Sequence, residues 1–180
     1  MIVLMSAFLL LSAFSCGGGN KANSTSEQDE KTVVNVPQFD ADSAYLYVKN
    51  QVDFGPRVPN TKEHVACGNY LAGQLEAFGA QVTNQYADLI AYDGTLLKAR
   101  NIIGSYKPES KKRIALFAHW DTRPWADNDP DEKNHKTPIL GANDGASGVG
   151  ALLEIARLVN QQQPELGIDI ILLDAEDYGC

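Results

Sequence analysis

The spacing of apolar and polar positions assigns most of the chain to elements before composition is considered. From Asp42 to Phe54, Ala44, Leu46, Tyr47, Val48 and Val52 predict a first helix, with Asp42 or Ser43 as its cap. The stretch FGPRVPNTKEH holds a glycine and two prolines, so it predicts a loop that leads to Thr61 as the next N-terminal cap. Cys67, Leu71, Leu75 and Phe78 step by four, four and three residues, one helical stripe that Gly79 closes. Two β-type runs follow in AQVTNQYADLIAYDGTLLKARNIIGSY, parted by a Tyr-Asp-Gly turn and expected near a sheet edge. RIALFAHWD is apolar without alternation, the pattern of a central strand covered on both faces. After a polar loop over 121–140, Val149, Leu152, Leu153, Ala156 and Val159 mark a long helix, and IDIILLDAED is a second covered strand. Strand, loop, helix and strand in that order make a βαβ unit, so the two apolar runs are expected to lie parallel in one sheet of an α/β fold.

The start of the chain obeys a different pattern. MIVLMSAFLLLSAFSC is an apolar run ending in small residues, too short to span a bilayer and reading as the hydrophobic region of an export signal. Residues 17–38 carry too few apolar positions to offset chain entropy and are expected to form a flexible tether, with residues 39–180 as the folded domain. Cys16 directly after SAFS resembles the lipobox of bacterial lipoproteins. That resemblance implies a lipid on Cys16, export, and attachment to a membrane of the bacterial cell envelope or periplasm. The other reading is an ordinary signal peptide, 1–16, with an incidental cysteine. Between Cys67 and Cys180, a bridge and two free thiols stay equally open.

Composition narrows the class of partner. The 180 residues are 44% hydrophobic and 21% charged, ordinary for one globular domain with a tail. A net charge of −8 and no clustering of Lys and Arg argue against a nucleic-acid partner.

The candidate chemistry collects at one place. Ligands of open α/β sheets bind beyond the carboxyl ends of parallel strands. AHWD after the first covered strand, GANDGASG at the entrance of the long helix and DAED after the second strand all map to that rim. Asp144 could simply cap the helix, but the glycines on both sides of it leave room for an ion or substrate. Glu176 and Asp177 are adjacent carboxylates at a strand end, which repel unless a cation or shared proton compensates. Neighbouring side chains in extended backbone point apart, so one acid can ligate a metal while the other acts as a general base. His119 and Asp121 form an H-x-D pair, readable as metal ligation by His119 or as a supporting hydrogen-bonded pair beneath the site. His64 and His135 are expected to be solvated surface histidines.

With these residues assembled, FGPRVPNTKEH, ARNIIGSY, AHWDTRPWADNDP, PILGANDGASGVGALLEIARL and ILLDAEDYG, in that order, resemble the zinc aminopeptidase family typified by bacterial leucyl aminopeptidases, and most closely its glutaminyl cyclase branch. The resemblance runs from about Phe39 to Cys180. It implies a three-layer αβα fold with a mixed, centrally parallel sheet, one zinc ion with Asp144 and Asp177 as ligands, and Glu176 as the proton shuttle. The implied reaction converts an N-terminal glutamine of a peptide or protein to pyroglutamate with release of ammonia. The alternatives are an aminopeptidase with two zinc ions, the second on His119, and a non-catalytic lipoprotein that keeps the fold as a binding module. The family's third zinc ligand, a distant histidine, falls after Cys180, so the chain is expected to be an N-terminal fragment, its sheet incomplete at the C-terminus, without activity alone.

Overall fold

The structure, a computed structural model, describes residues 35–178; the signal-like run, most of the tether, Cys16 and Cys180 lie outside the described residues. Seven longer elements follow in order: α1 (Ala41–Asp53), α2 (Lys62–Ala77), β1 (Gln81–Ile90), β2 (Leu96–Tyr106), β3 (Arg113–His119), α3 (Ala146–Gln161) and β4 (Gly167–Leu173). The strands form one sheet in the order β1-β2-β4-β3. β1 and β4 both pair with β2 antiparallel, while β3 and β4 run parallel with His119 opposite Leu173. This is a mixed α/β sheet, and β3, α3 and β4 make the expected βαβ unit. No helix among the described residues is long and apolar enough to cross a membrane.

One core joins helices and sheet. Leu71 and Leu75 from α2 meet Val149, Leu153 and Ala156 from α3 over Ile102, Ile170 and Leu172 of the sheet. All five residues of the expected α3 stripe are buried. Cys67 sits in this core as a free thiol, and burial pushes its pKa up to about 12, far from reactive thiolate.

The β1–β2 hairpin lies at one edge of the sheet, as expected, and β3 has β4 as its one strand neighbour among the described residues. The polar residues of β2 are satisfied in place: Asn101 donates to Gln85 and Ser105 to Asp169. Leu97 and Ala99 are buried on one face of β2, Ile102 and Tyr106 on the other. Along β3, Leu116 and Ala118 pack on the core while Phe117, on the opposite face, is 58% exposed.

The helix starts tie the layers together. Thr61 caps α2 as expected, accepting from the His64 N–H. The cap of α1 is Asp40, not Asp42 or Ser43: its carboxylate accepts from both of those backbone N–H groups, at 3.0 and 3.1 Å. Asp40 in turn donates its own N–H to Glu154 at 2.9 Å, and Glu154, buried within α3, is paired with Arg157. Gln51 of α1 donates to the carbonyl of Ala146 in the first turn of α3, so α1 holds the helix start that borders the rim.

Leu153→Ala is expected to lower the free energy of unfolding by about 2 to 5 kcal/mol, whereas Val65→Ala, at a position 56% exposed, changes it by less than about 0.5 kcal/mol. Urea denaturation followed by circular dichroism checks both.

Candidate active site at the parallel strand ends

β3 and β4 end side by side, and the chain turns sharply after each. Beyond β4, Ala175 adopts a left-handed conformation, φ 59°, uncommon for a residue with a Cβ. This reversal separates the acids of DAED. Asp174 turns inward, where its carboxylate meets His64 Nε2 at 2.8 and 2.9 Å and accepts the Arg100 N–H at 2.6 Å. Glu176 and Asp177 stay on the rim. His64 is therefore not a surface histidine: it is buried, paired with Asp174 and stacked on Trp120 with ring centroids 4.3 Å apart. The helical position that suggested solvent faces the strand ends instead.

Asp121 joins the two turns. It is fully buried, and its carboxylate accepts the backbone N–H of Glu176 at 3.3 Å and of Asp177 at 3.0 Å. The H-x-D aspartate is thus bonded to the backbone of the acidic pair.

His119 links the remaining segment. Its Nε2 lies 2.8 Å from Asp144 Oδ1, and its Nδ1 lies 3.5 Å from Asp121 and 3.9 Å from Glu176. The Asp121 carboxylate raises its pKa to about 9, with Asp144 and Glu176 adding to this and burial opposing it. The 3.5 Å approach of Nδ1 is too long for a good hydrogen bond, so attraction between charges is the better description of that contact. The glycines around Asp144 have a different use from the one expected of them. A Cβ on Gly145 would lie 2.5 Å from the His119 carbonyl oxygen and 2.8 Å from its ring, and one on Gly141, at φ 57°, would strike Thr122 and the Asp144 carbonyl. They make room for the neighbouring protein segments.

The three acidic segments therefore meet around His119. Asp144 and Glu176 present largely exposed carboxylates, with side chains 66% and 62% accessible. Asp177 is the enclosed one. Its Oδ1 lies 3.6 Å from Arg123, while its buried Oδ2 has no hydrogen-bond partner. Burial, then the charges of Asp144 and Asp121, push its pKa above the ordinary carboxylate range. An acceptor that is buried, unpaired and surrounded by like charge suits a cation. Among the described residues no three His, Cys, Asp or Glu side chains are grouped to hold one ion, so the acids present fit part of a three-ligand zinc site.

Arg57 was not anticipated from the sequence. It is fully buried, and its guanidinium donates to the carbonyls of Trp120 at 3.0 Å, Leu140 at 2.8 Å and Gly141 at 2.9 Å. One side chain thereby fixes the exit of β3 and the loop that delivers Asp144. Only its place among prolines and glycine in FGPRVP marked that loop, and nothing in the pattern set Arg57 apart from a solvated arginine.

Residues 101–180 match Peptidase family M28. The chain is 96% identical to Bacteroides thetaiotaomicron glutaminyl cyclase, whose crystal structure was solved with N-acetylhistamine bound; the match covers 81% of this chain and 50% of that one with a TM-score of 0.81. It is also 96% identical to a structure described as a leucine aminopeptidase precursor from Bacteroides thetaiotaomicron VPI-5482, over 82% of this chain and 51% of that one, TM-score 0.81. A Zn-dependent exopeptidase from Parabacteroides distasonis is 66% identical over 81% of this chain and 50% of that one, TM-score 0.80. The chain spans about half the length of these solved chains.

Asp121→Asn is expected to lower the free energy of unfolding by about 1 to 3 kcal/mol, because one of the two amides then faces an NH₂ group in place of an acceptor. An unchanged denaturation midpoint would show that both amides find another partner.

Proposed function

We propose that the whole protein is a zinc-dependent glutaminyl cyclase acting on peptide and protein N-termini, with Asp144 and Asp177 as zinc ligands and Glu176 as the proton carrier. The observation that carries this reading is the convergence of three carboxylates from two neighbouring segments on one rim, with the buried Asp177 Oδ2 left without a partner. The 96% identity to a glutaminyl cyclase over most of this chain supports the choice of reaction.

The reaction joins the α-amine of an N-terminal glutamine to its own side-chain amide carbon and expels ammonia. A zinc ion, when bound, supplies Lewis-acid polarisation of the γ-carbonyl. Glu176 is the exposed acid of the pair, free to reach the substrate, and takes a proton from the attacking α-amine. The same proton leaves with the amide nitrogen as ammonia, so Glu176 ends the cycle ionised as it began. Asp121 holds the Glu176 backbone by its N–H, which limits where that carboxylate can swing. His119 stands between Asp144 and Glu176 and keeps their charges from pushing each other out of the site.

The second reading is a two-zinc aminopeptidase, favoured by the equal identity to a structure described as a leucine aminopeptidase precursor. There His119 would give a ring nitrogen to a second ion. Its Nε2 meets Asp144 at 2.8 Å in this fold, which favours a supporting role for His119. We further propose export and anchoring through a lipid on Cys16. Loss of membrane association in Cys16→Ser, seen by fractionating cells, is the result expected.

Purified at its natural full length, the protein is expected to carry about one zinc per chain and to release ammonia from N-terminal glutamine peptides. Glu176→Gln should lower kcat by about 10² to 10⁴ with zinc content unchanged, whereas Asp144→Ala and Asp177→Ala should lose the zinc. Two zinc ions per chain with release of free amino acids would establish the peptidase instead.

A further inference from the structure

Between α2 and the β1–β2 hairpin lies a pocket of about 180 Å³ whose walls include Val65 and Asn69 of α2, Tyr86 of β1, Arg100 of β2 and Trp120. We propose that this pocket binds a small carboxylate with an apolar body, a single ring or short chain of about the size of benzoate. Asp144, Glu176 and Asp177 take no part in its walls, so it is a second site, separate from the acidic rim.

A buried cation with an unused donor is the first argument. Arg100 is only 8% exposed. Its Nε donates to Asn84 Oδ1 at 2.9 Å and its Nη1 to Asn69 Oδ1 at 2.8 Å, whereas Nη2 donates to no partner among the described residues. No carboxylate among the described residues forms an ion pair with this guanidinium, although buried charges are ordinarily paired. The two asparagines meet Arg100 through their carbonyl oxygens, which leaves their NH₂ groups as the free ends. A pocket holding a cation and an amide donor favours an acceptor, and an anionic one most. Lys98, also in the walls, is matched by Asp88 at 2.7 Å with both side chains more than half exposed, so this pair leaves Arg100 to set the sign of the site.

The remaining walls suit an apolar body. Tyr86 stands opposite Arg100 in the β1–β2 register, its ring centroid 5.6 Å from the guanidinium carbon. Trp120 is fixed from two sides, by its indole N–H on the Arg100 carbonyl at 3.2 Å and by its stacking on His64. Val65 completes an outer wall with Tyr86, the two being 56% and 71% exposed. Apolar lining with a few placed polar groups is the usual make-up of a small-molecule site, and a volume under roughly 300 Å³ limits the occupant to less than drug size. Arg100 is set before any ligand arrives, its side chain by asparagines of α2 and β1 and its backbone N–H by Asp174 at 2.6 Å, so little ordering is lost on binding.

The test titrates benzoate, and benzyl alcohol as its uncharged counterpart, into the protein at its natural full length and into Arg100→Gln, Tyr86→Ala and Val65→Trp, read by calorimetry. The unaltered protein is expected to bind benzoate about tenfold more tightly than benzyl alcohol. Arg100→Gln should weaken benzoate by about tenfold, Tyr86→Ala by about threefold, and Val65→Trp, which fills the mouth, should abolish binding. Val65 and Tyr86 are exposed, so these two variants decide the matter even if Arg100→Gln fails to fold. Benzoate bound equally well by Tyr86→Ala and Val65→Trp would place it elsewhere, on the rim or its metal, and overturn the proposal. Equal affinity for benzyl alcohol, or no binding at about 10 mM benzoate, would overturn it as well.

Discussion

The site depends on the carboxylate of Asp121 accepting two consecutive backbone N–H groups, those of Glu176 and Asp177. Parallel pairing brings β3 and β4 to a common end, but pairing stops at His119 and Leu173. Past that point each chain is free to leave in its own direction. A buried ionised acceptor with two amide donors is among the stronger hydrogen-bonding arrangements available to a protein, and it carries the registration of the two strands onward into the turns. It also accounts for how a left-handed Ala175 persists, since the surroundings over-determine it. The negative charge this requires sits under an already acidic rim, and it contributes to raising the pKa of Asp177. Asp121 thus orders the rim and, after burial and Asp144, adds to the electrostatic strain on Asp177.

A second layer of polar contacts lies beneath. Arg57 holds three carbonyls from two loops, and the His64–Asp174 pair, stacked under Trp120, accepts the backbone of β2 through Arg100. Groups like these stabilise little in net terms, because each loses its hydration on burial. Their effect is on geometry. An arginine that bridges carbonyls of separate loops permits one relative placement of those loops, where apolar side chains of the same volume would tolerate several. The loop carrying Asp144 and the exit carrying His119 and Asp121 are the two pieces so placed. The rim is held from below by Arg57 and from across the strands by Asp121.

How far the sequence could be read follows from the range of each interaction. The α2 and α3 stripes and the β1–β2 hairpin are set by neighbours within a few positions, and these were legible. So was the meeting of Asp144, Glu176 and Asp177 at one rim, because strand ends and helix entrances of a βαβ unit must coincide. The antiparallel pairing of β2 with β4 was not legible: nothing in the local pattern joins residues 102–106 to residues 168–172. His64 was misread for the same reason, its partner Asp174 lying 110 residues away. The glycines beside Asp144 were correctly seen as clearing space, but the occupants of that space are His119 and Thr122. A pattern can show that a position must be small; only the fold shows what it is small for.

The same distinction bears on the aromatic residues at the rim. Trp120 and Trp125 lie five positions apart in one loop-bound segment, with opposite fates. Trp120 is fully buried, donates its indole N–H to the Arg100 carbonyl and stacks on His64, so its surface is used within the fold. Trp125 touches Tyr92 and Tyr178 by ring edges and keeps part of its surface toward the open side of the rim beside Asp144. Tyr92 remains 62% exposed at the hairpin tip. Scattered exposed apolar residues carry no meaning, but here Trp125 meets both Tyr92 and Tyr178, rings from two other segments, and the cluster ends beside Asp177. The core cluster contains none of them. Their contact gives the rim an apolar boundary beside the carboxylates, made by rings from three separate segments.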